Sequence, residues 1–222
     1  MLDTVAVGCS ISPTPNKLKS WVSHPLIYPG KEPWRKYFQR TRLDNGASID
    51  FVFYPSNPRY PEPYLQAEFS IPKVLFGENV SMLQNETEIL ESIMVVNKHI
   101  STLSWMPSFN VGEGQINRVD LVYNYNVENR IQDYIKSLYN SNYPNRDTRP
   151  YPPEGVQFYS MVASSKFYDK QKESRLMIAV GLLRHELTLR KAYHINRRMK
   201  TSHATLTQIT RERLTTIRNT HR

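Results

Sequence analysis

The chain has 222 residues, of which 39% are hydrophobic, and a formal net charge of +9. This length suffices for one sizeable hydrophobic core with a short appended segment. The longest apolar run, Leu176 to Leu183, is too short to cross a bilayer, and the N-terminus lacks the basic and apolar regions of a signal peptide. A single cysteine, Cys9, excludes an internal disulfide and a thiolate metal site. These features predict a protein of the reducing cytoplasm without a membrane span.

Most of the positive charge lies near the C-terminal end. From Lys191 to Arg222 there are eight Lys or Arg residues and one acid, Glu212, so this stretch carries +7 of the net charge. Such a segment is typical of a surface that binds a polyanion, but it also fits a solvated helical tail. We therefore divide the chain into a main domain, 1–190, and a basic helical segment, 191–222.

Periodicity predicts the elements in chain order. Alternation of apolar and polar residues, which is typical of half-buried strands, occurs at 2–11, 48–54, 64–71, 116–125, 155–162, 164–170 and 178–190. Helical periodicity begins at Asn85, where Glu88 completes a capping box, and occurs again over 127–139. Two stretches rich in Pro and Asn, 54–63 and 143–153, are predicted loops. This order favours an α+β fold with a largely antiparallel central sheet flanked by helices.

Strand alternation also predicts which polar side chains share a face. Four strands each place charged or phenolic groups in mid-strand, where β-propensity disfavours charged residues. The residues concerned are Glu68; Arg118 and Asp120; Lys166, Tyr168 and Lys170; and Arg184, Glu186 and Arg190, which share their face of the last strand with Thr188.

If these strands are neighbours, the three carboxylates Glu68, Asp120 and Glu186 converge and require a cation. Ligation by oxygen alone favours Mg²⁺ or Mn²⁺. A phenol such as Tyr168 attacks poorly at neutral pH unless a cation stabilises its phenolate. The alternative is an ordinary exposed sheet face with cross-strand ion pairs, which pattern alone leaves open because the strand order is unknown.

Four segments in order resemble the gene II type replication initiators of filamentous phages and related phage and plasmid proteins. They are Ser70-Ile-Pro-Lys-Val-Leu-Phe-Gly-Glu-Asn-Val, Asn117-Arg-Val-Asp-Leu-Val-Tyr, Lys166-Phe-Tyr-Asp-Lys and Gly181-Leu-Leu-Arg-His-Glu-Leu-Thr-Leu-Arg. The resemblance covers roughly residues 1–200, and its order and spacing agree with the family. It implies a rolling-circle initiator that nicks one strand of a DNA origin, keeps the 5′ phosphate on a tyrosine and leaves a free 3′ hydroxyl.

The resemblance assigns the nucleophile to Tyr168 and the acidic metal ligands to Glu68, Asp120 and Glu186. Tyr159, one hairpin arm upstream, is the alternative nucleophile. Lys170 and Arg184 are expected to position or neutralise the scissile phosphate. Contacts to DNA are expected from Arg118, Lys166, Arg190, Arg197, Arg198, Lys200, Arg211 and Arg213. The implied partners are origin DNA, both single-stranded and duplex, together with a host helicase and a DNA polymerase. The sequence leaves open whether the protein is a monomer or a homodimer.

Two departures from such initiators qualify the resemblance. The six histidines are scattered without a His-x-His pair, so the expected metal site is all-oxygen and His185 is expected to be structural. Full initiators of this kind are longer, which is compatible with a truncated or minimal form. Other functions therefore stay open: a non-catalytic single-stranded DNA binder or origin-binding regulator, and a metal-dependent nuclease that activates water.

Overall fold

A computed structural model describes residues 1–12, 14–16, 18–26, 34–57 and 61–209. Ten antiparallel strands form one sheet, in the order β2-β3-β4-β5-β1-β6-β10-β9-β8-β7. The strands are β1 Leu2–Ser10, β2 Val22–Leu26, β3 Trp34–Arg42, β4 Ser48–Tyr54, β5 Tyr64–Ser70, β6 Gln115–Asn126, β7 Asp147–Pro150, β8 Gly155–Tyr159, β9 Ala163–Asp169 and β10 Leu182–Arg190. The predicted α+β fold with a large antiparallel sheet is confirmed.

Five α-helices accompany the sheet in the described residues. They are α1 Ile71–Phe76, α2 Thr87–Thr102, α3 Ile131–Tyr139, α4 Lys170–Ser174 and α5 Ala192–Met199. None of these helices has the length and apolar character that a membrane span requires. The predicted capping box of α2 is present, since the Glu88 amide donates to Asn85 Oδ1 at 3.1 Å and the Asn85 amide to a Glu88 carboxylate oxygen at 3.4 Å.

One face of the sheet is apolar and is covered by helices. The buried stripe of α2, Ile89, Ile93, Val96 and Ile100, packs in the same core as Phe51 and the other inward-facing residues of the central strands. At the β7–β10 end, α3 covers this face with Ile131 and Ile135 against Leu183. Burial of these apolar side chains is the main stabilising contribution to the fold.

All seven predicted strands occur, but three strands were missed. β2 and β3 lie at one edge of the sheet, and no residue of β3 is fully buried, so β3 lacks the apolar alternation that predicts a strand. β7 lies at the opposite edge, and all four of its residues are exposed. It falls inside the Pro-rich stretch predicted as a loop, so that prediction was wrong for 147–150.

The opposite face is polar and contains the predicted site. Small residues of β1 on this face allow side chains from β5 and β6 to meet, because β1 lies between these two strands. Ala6 pairs with Glu68 on one side and with Arg118 on the other, so the side chains of β5 and β6 meet above it. Gly8 allows the same approach, since a Cβ there would lie 2.7 Å from the Leu65 carbonyl oxygen.

The basic segment from Lys191 begins with helix α5, and residues 210–222 of this segment lie outside the described residues. Its apolar residues Ile195 and Met199 are buried in the main core, and Leu206 and Ile209 join them further along the chain. The carbonyl of Ala204 accepts a hydrogen bond from the amide of Ile116 at 2.8 Å. Residues 192–209 therefore pack as part of the sheet domain.

Candidate active site

Two clusters of ion-paired side chains lie next to each other on the polar face. In the first, Arg118 on β6 binds Asp120 through two hydrogen bonds, of 3.1 and 2.6 Å, and binds Glu68 on β5 at 2.6 Å. Asp120 is buried, with only 3% of its surface exposed, whereas the Glu68 carboxylate is about one-third exposed. A guanidinium with five donors suits this bridging position between two carboxylates.

The second group is centred on Glu186 in β10. Lys166 on β9, its cross-strand neighbour, forms an ion pair with Glu186 Oε1, and Tyr168 Oη donates to Glu186 Oε2 at 3.2 Å. Thr188 Oγ1 also donates to Oε1, at 3.4 Å. The strand alternation predicted this shared face, and the cross-strand pairing brings the side chains into contact.

Glu186 and Asp120 affect each other electrostatically. Burial is the main cause that raises the pKa of Asp120 to about 6, and the charge of the Glu186 carboxylate is the second. Arg118 opposes the shift. Burial also opposes ionisation of Glu186, but Lys166, Tyr168 and Arg118 outweigh it and lower the pKa of that carboxyl. Positive charge relieves the repulsion between two buried carboxylates, and Arg118 and Lys166 supply that charge here.

The three predicted ligands do not converge on one point in this structure. Glu68 is turned toward Arg118, and Asp120 and Glu186 are the two carboxylates that repel each other. Within the described part of the chain, no group of three or more His, Cys, Asp or Glu side chains is arranged to hold a metal ion. The predicted ligands therefore lie together on one face, each already accepting a hydrogen bond from a cationic side chain.

Tyr168 is a buried phenol, with 2% of its surface exposed. Burial and the nearby Glu186 raise its pKa, which Arg184 opposes. The ring of Tyr151 lies 5.3 Å from the Tyr168 ring, and Lys166 Nζ lies 5.1 Å from the Tyr151 ring centre. Tyr151, which sequence analysis placed in a loop, therefore covers the predicted nucleophile.

Arg184 and Lys170 are fully buried beside the site. Arg184 binds Asn124, the Asn79 carbonyl and Asp3, and Lys170 binds Asn79 and Glu173. The connection between α1 and α2, which contains Asn79, covers this end of the polar face. In this arrangement both cations are engaged within the protein, and neither is presented to solvent as a phosphate contact.

Asp3 is a second residue that sequence analysis missed. This buried carboxylate on β1 accepts a hydrogen bond from Ser70 at 2.7 Å and lies 3.4 Å from Arg184. Burial raises its pKa, and Arg184 and Ser70 oppose the shift. The available signal was an acid placed inside an otherwise apolar strand, which requires a buried partner.

Tyr159, the alternative nucleophile, lies between two guanidinium groups. Arg149 and Arg190 stand 4.4 and 5.6 Å from its ring centre, and Arg190 also donates to Ser164 at 3.2 Å. Tyr159 pairs with Ser164, which pairs with Thr188, which pairs with Asp120. Its main chain is thus three strand spacings, about 14 Å, from Asp120.

The remaining residues predicted to contact DNA differ in their exposure. Arg197 and Lys200 are exposed and Arg198 is half-buried, all at the C-terminal end of α5. Arg211 and Arg213 lie outside the described residues. His185 is on the helix-covered face, where it stacks on Phe167 with ring centres 4.2 Å apart and hydrogen-bonds Ser165, in agreement with a structural role.

Comparison with known proteins gives one structural likeness. No family model matches the chain, and no curated protein matches it. A rolling-circle replication initiator protein from Geobacillus stearothermophilus is similar over 89% of this chain and 77% of its own, with 13% sequence identity and a TM-score of 0.39. A TM-score and an identity this low transfer neither fold nor activity to this chain.

Proposed function

We propose that this chain is a rolling-circle replication initiator of the gene II type, a nicking enzyme that joins a DNA 5′ phosphate to a tyrosine. The observation that supports the proposal is the hydrogen bond from Tyr168 to Glu186, a carboxylate that also faces Asp120 and binds Lys166. A phenol, a proton acceptor and a pair of buried acids in contact are the parts that a phosphodiester transfer to tyrosine requires.

In the proposed reaction, Tyr168 Oη attacks the scissile phosphorus and the bond to the 3′ oxygen breaks. The phenolic proton passes to Glu186, which accepts its hydrogen bond, and Glu186 then gives that proton to the leaving 3′ oxygen, so no further reactant is needed. Attack by a hydroxyl on the phosphotyrosine reverses the step and rejoins a strand. Lys166 and Arg118 contribute positive charge beside the phosphate.

Asp120 and Glu186 would hold a Mg²⁺ or Mn²⁺ ion, with Glu68 as a third ligand if it releases Arg118. Such an ion, when bound, polarises the phosphodiester and stabilises the developing charge. Substrate access also requires that Tyr151 move from Tyr168, since Tyr168 is buried.

Tyr159 is kept as the second candidate nucleophile because Arg149 and Arg190 flank it. Two guanidinium groups would neutralise a phosphate attached to that phenol. Tyr168 ranks first because its hydroxyl already contacts Glu186, and the nucleophile and the carboxylates must reach the same phosphorus.

The test is formation of a covalent adduct. The full chain is incubated with Mn²⁺ and a 3′-labelled single-stranded oligonucleotide pool of random sequence, and the products are separated on a denaturing gel. We expect a labelled protein band that is absent in Tyr168→Phe and retained in Tyr159→Phe. Tyr125→Phe, which changes an exposed tyrosine on the other face, is the matched control.

Each rival function has its own outcome. An adduct lost only in Tyr159→Phe transfers the nucleophile to that residue. Cleavage without an adduct, persisting in both tyrosine variants, indicates a nuclease that activates water. Binding without cleavage under all conditions indicates a DNA-binding regulator and contradicts the nicking proposal.

A further inference from the structure

Arg190, at the end of β10, is a cation of the polar face for which the described residues supply no counterion. Its cross-strand neighbour on β6 is Arg118, whose charge Asp120 and Glu68 compensate. Arg190 forms no ion pair with a described carboxylate, and its Nη1 atom is buried there without a hydrogen-bond partner. Like charges at directly opposite strand positions repel, and a buried donor without an acceptor carries a desolvation cost. The described residues therefore leave this guanidinium group unsatisfied.

Two contacts hold the Arg190 side chain toward β8. Arg190 Nη2 donates to Ser164 Oγ at 3.2 Å, and Ser164 itself is fully buried on β9. The guanidinium carbon lies 5.6 Å from the ring centre of Tyr159, which is the cross-strand neighbour of Ser164 on β8. A guanidinium group this close to an aromatic ring gains a cation–π attraction. These contacts orient the group before any ligand binds, which lowers the entropy cost of binding.

Arg149 on β7 brings a second guanidinium group to the same ring. Its guanidinium carbon lies 4.4 Å from the Tyr159 ring centre. Arg149 is paired with Asp147 at 2.9 Å, but the two side chains are 51% and 71% exposed. An ion pair this exposed contributes little to stability, so Arg149 can exchange Asp147 for another anion at small cost. Because Asp147 compensates Arg149, the excess positive charge around the ring is that of Arg190.

These side chains lie on the same face as the proposed cutting site, further along the strands. On β9, Ser164 is two residues from Lys166 and four residues from Tyr168. Successive residues of a strand rise about 3.3 Å, so Ser164 is about 7 Å from Lys166 and about 13 Å from Tyr168. A DNA strand that lies along β9 with one phosphate at Tyr168 therefore carries another of its phosphate groups to Arg190.

We infer that Arg190 and Arg149 form a binding site for a phosphodiester group of the DNA strand that enters the cutting site, distinct from the phosphodiester that is cut. Two guanidinium groups match the oxygens of one phosphate through paired hydrogen bonds. The phosphate supplies the acceptor that Arg190 Nη1 lacks. In this site Tyr159 orders the two cations and is not the attacking group. The identity of the anion as DNA rests on the proposed function.

The test measures how DNA affinity depends on salt in variants of the full chain. Arg190→Gln removes the cation, and Arg190→Lys keeps the charge without the planar fork. Lys98→Gln removes one charge from an exposed position on α2 and is the matched control. Binding of the single-stranded oligonucleotide pool of the adduct assay, now fluorescently labelled, is measured by anisotropy over a series of NaCl concentrations. Thermal melting shows whether each variant is folded.

We expect Arg190→Gln to reduce the slope of log K against log salt concentration by about 0.7 unit, the contribution of one phosphate contact with single-stranded DNA. Arg190→Lys should keep the slope of the wild type and bind more weakly at each salt concentration. Equal slopes in the wild type and Arg190→Gln overturn the inference even if affinity falls, because Arg190 then contacts a base and not a phosphate. An equal reduction in Lys98→Gln also overturns it, since the effect then reflects net charge.

Arg149→Gln supplies the same measurement if Arg190→Gln melts at a lower temperature than the wild type. Arg149 lies on the edge strand β7, where all four residues are exposed, so its substitution is expected to leave the folding of the chain unaffected. Arg149→Gln should also reduce the salt slope, because it removes the second guanidinium group from the phosphate. An unchanged slope in this variant would contradict a site formed by the two arginines together.

Failure of this inference is distinguishable from failure of the nicking proposal. A wild type that forms no adduct but shows the Arg190-dependent slope retains the phosphate site and loses the nicking function. An adduct in the wild type, together with equal slopes in all the proteins, gives the reverse result. An adduct that is lost only in Tyr159→Phe overturns this inference as well as the choice of Tyr168, because the phosphate beside Tyr159 is then the one that is cut.

Discussion

Glu186 contacts more functional groups than any other predicted ligand. It accepts hydrogen bonds from Tyr168 and Thr188, pairs with Lys166 and raises the pKa of Asp120. Because Glu186 has several partners, a substitution at one of these positions affects the others as well. Replacing it changes the charge that its neighbours experience.

The first prediction concerns the substitution Glu186→Gln and the pKa of Asp120. Loss of the neighbouring anion is expected to lower that pKa from about 6 toward its usual value of 3.8, because burial alone then opposes ionisation against Arg118. Carboxyl chemical shifts measured by NMR as a function of pH give the value. Glu173→Gln, which removes a carboxylate paired with Lys170, is the control and is expected to leave Asp120 unchanged.

The raised pKa of Asp120 also determines how this residue changes the stability of the protein with pH. The raised pKa of Asp120 means that the folded protein binds this proton more tightly than the unfolded chain does. Its contribution to the free energy of unfolding is complete below about pH 4 and is lost as the pH rises toward 6. Glu186→Gln should reduce this loss, and an Asp120 pKa that stays near 6 in the variant would show that the two carboxylates do not interact.

At the scale of single elements, strand β8 depends on close contact with β9 beside Tyr168. A Cβ at Gly155 would lie 2.5 Å from the Phe167 carbonyl oxygen and 2.8 Å from Tyr168 Cβ. Real Cβ atoms do not approach backbone oxygens so closely, so a side chain at this position would push the two strands apart. The absence of a side chain here allows Tyr168 and Tyr151 to pack together.

Gly155→Ala is therefore expected to lower the free energy of unfolding by about 1–3 kcal/mol, a typical cost of overpacking. It should also lower adduct formation, because Tyr168 shifts relative to Glu186. Urea denaturation and the adduct assay measure the two effects. Gln157→Ala, on the same strand, removes a partly exposed side chain without a clash, and a similar loss of stability there would contradict the steric explanation.

Sequence alternation predicted the shared face of Glu68, Asp120, Tyr168 and Glu186 because each lies in a strand whose apolar and polar side chains alternate. It could not predict contacts, which depend on strand order: β5 and β6 are separated by β1, and their side chains meet only because Ala6 is small. Alternation also placed Arg184 on this face, but the connection that contains Asn79 buries it. A covering loop leaves no periodic signal in the sequence.

At the scale of the whole molecule, the packing of the basic segment matters for the predicted division at residue 190. The charge of 191–222 suggested an appended helical tail, and the exposed basic residues of α5 agree with a solvated face. The buried positions of α5 carry a different signal: Ile195 and Met199 lie four residues apart and pack in the same core as the central sheet. Charge counts describe a helix's outer face and not the face that it buries.

The last prediction tests whether α5 folds with the sheet. Ile195 is fully buried in the main core, so Ile195→Ala is expected to lower the free energy of unfolding of the whole protein by about 2–4 kcal/mol, through lost apolar contacts and the cavity left behind. The loss should occur in one cooperative transition, with circular dichroism and tryptophan fluorescence coinciding. Tyr193→Ala, which truncates a side chain on the same helix that is 67% exposed, should change stability by less than about 1 kcal/mol.

If the segment from Lys191 were an independent tail, Ile195→Ala would leave the main transition unchanged. A shift of that transition would instead show that α5 unfolds together with the strands that carry Glu186 and Tyr168.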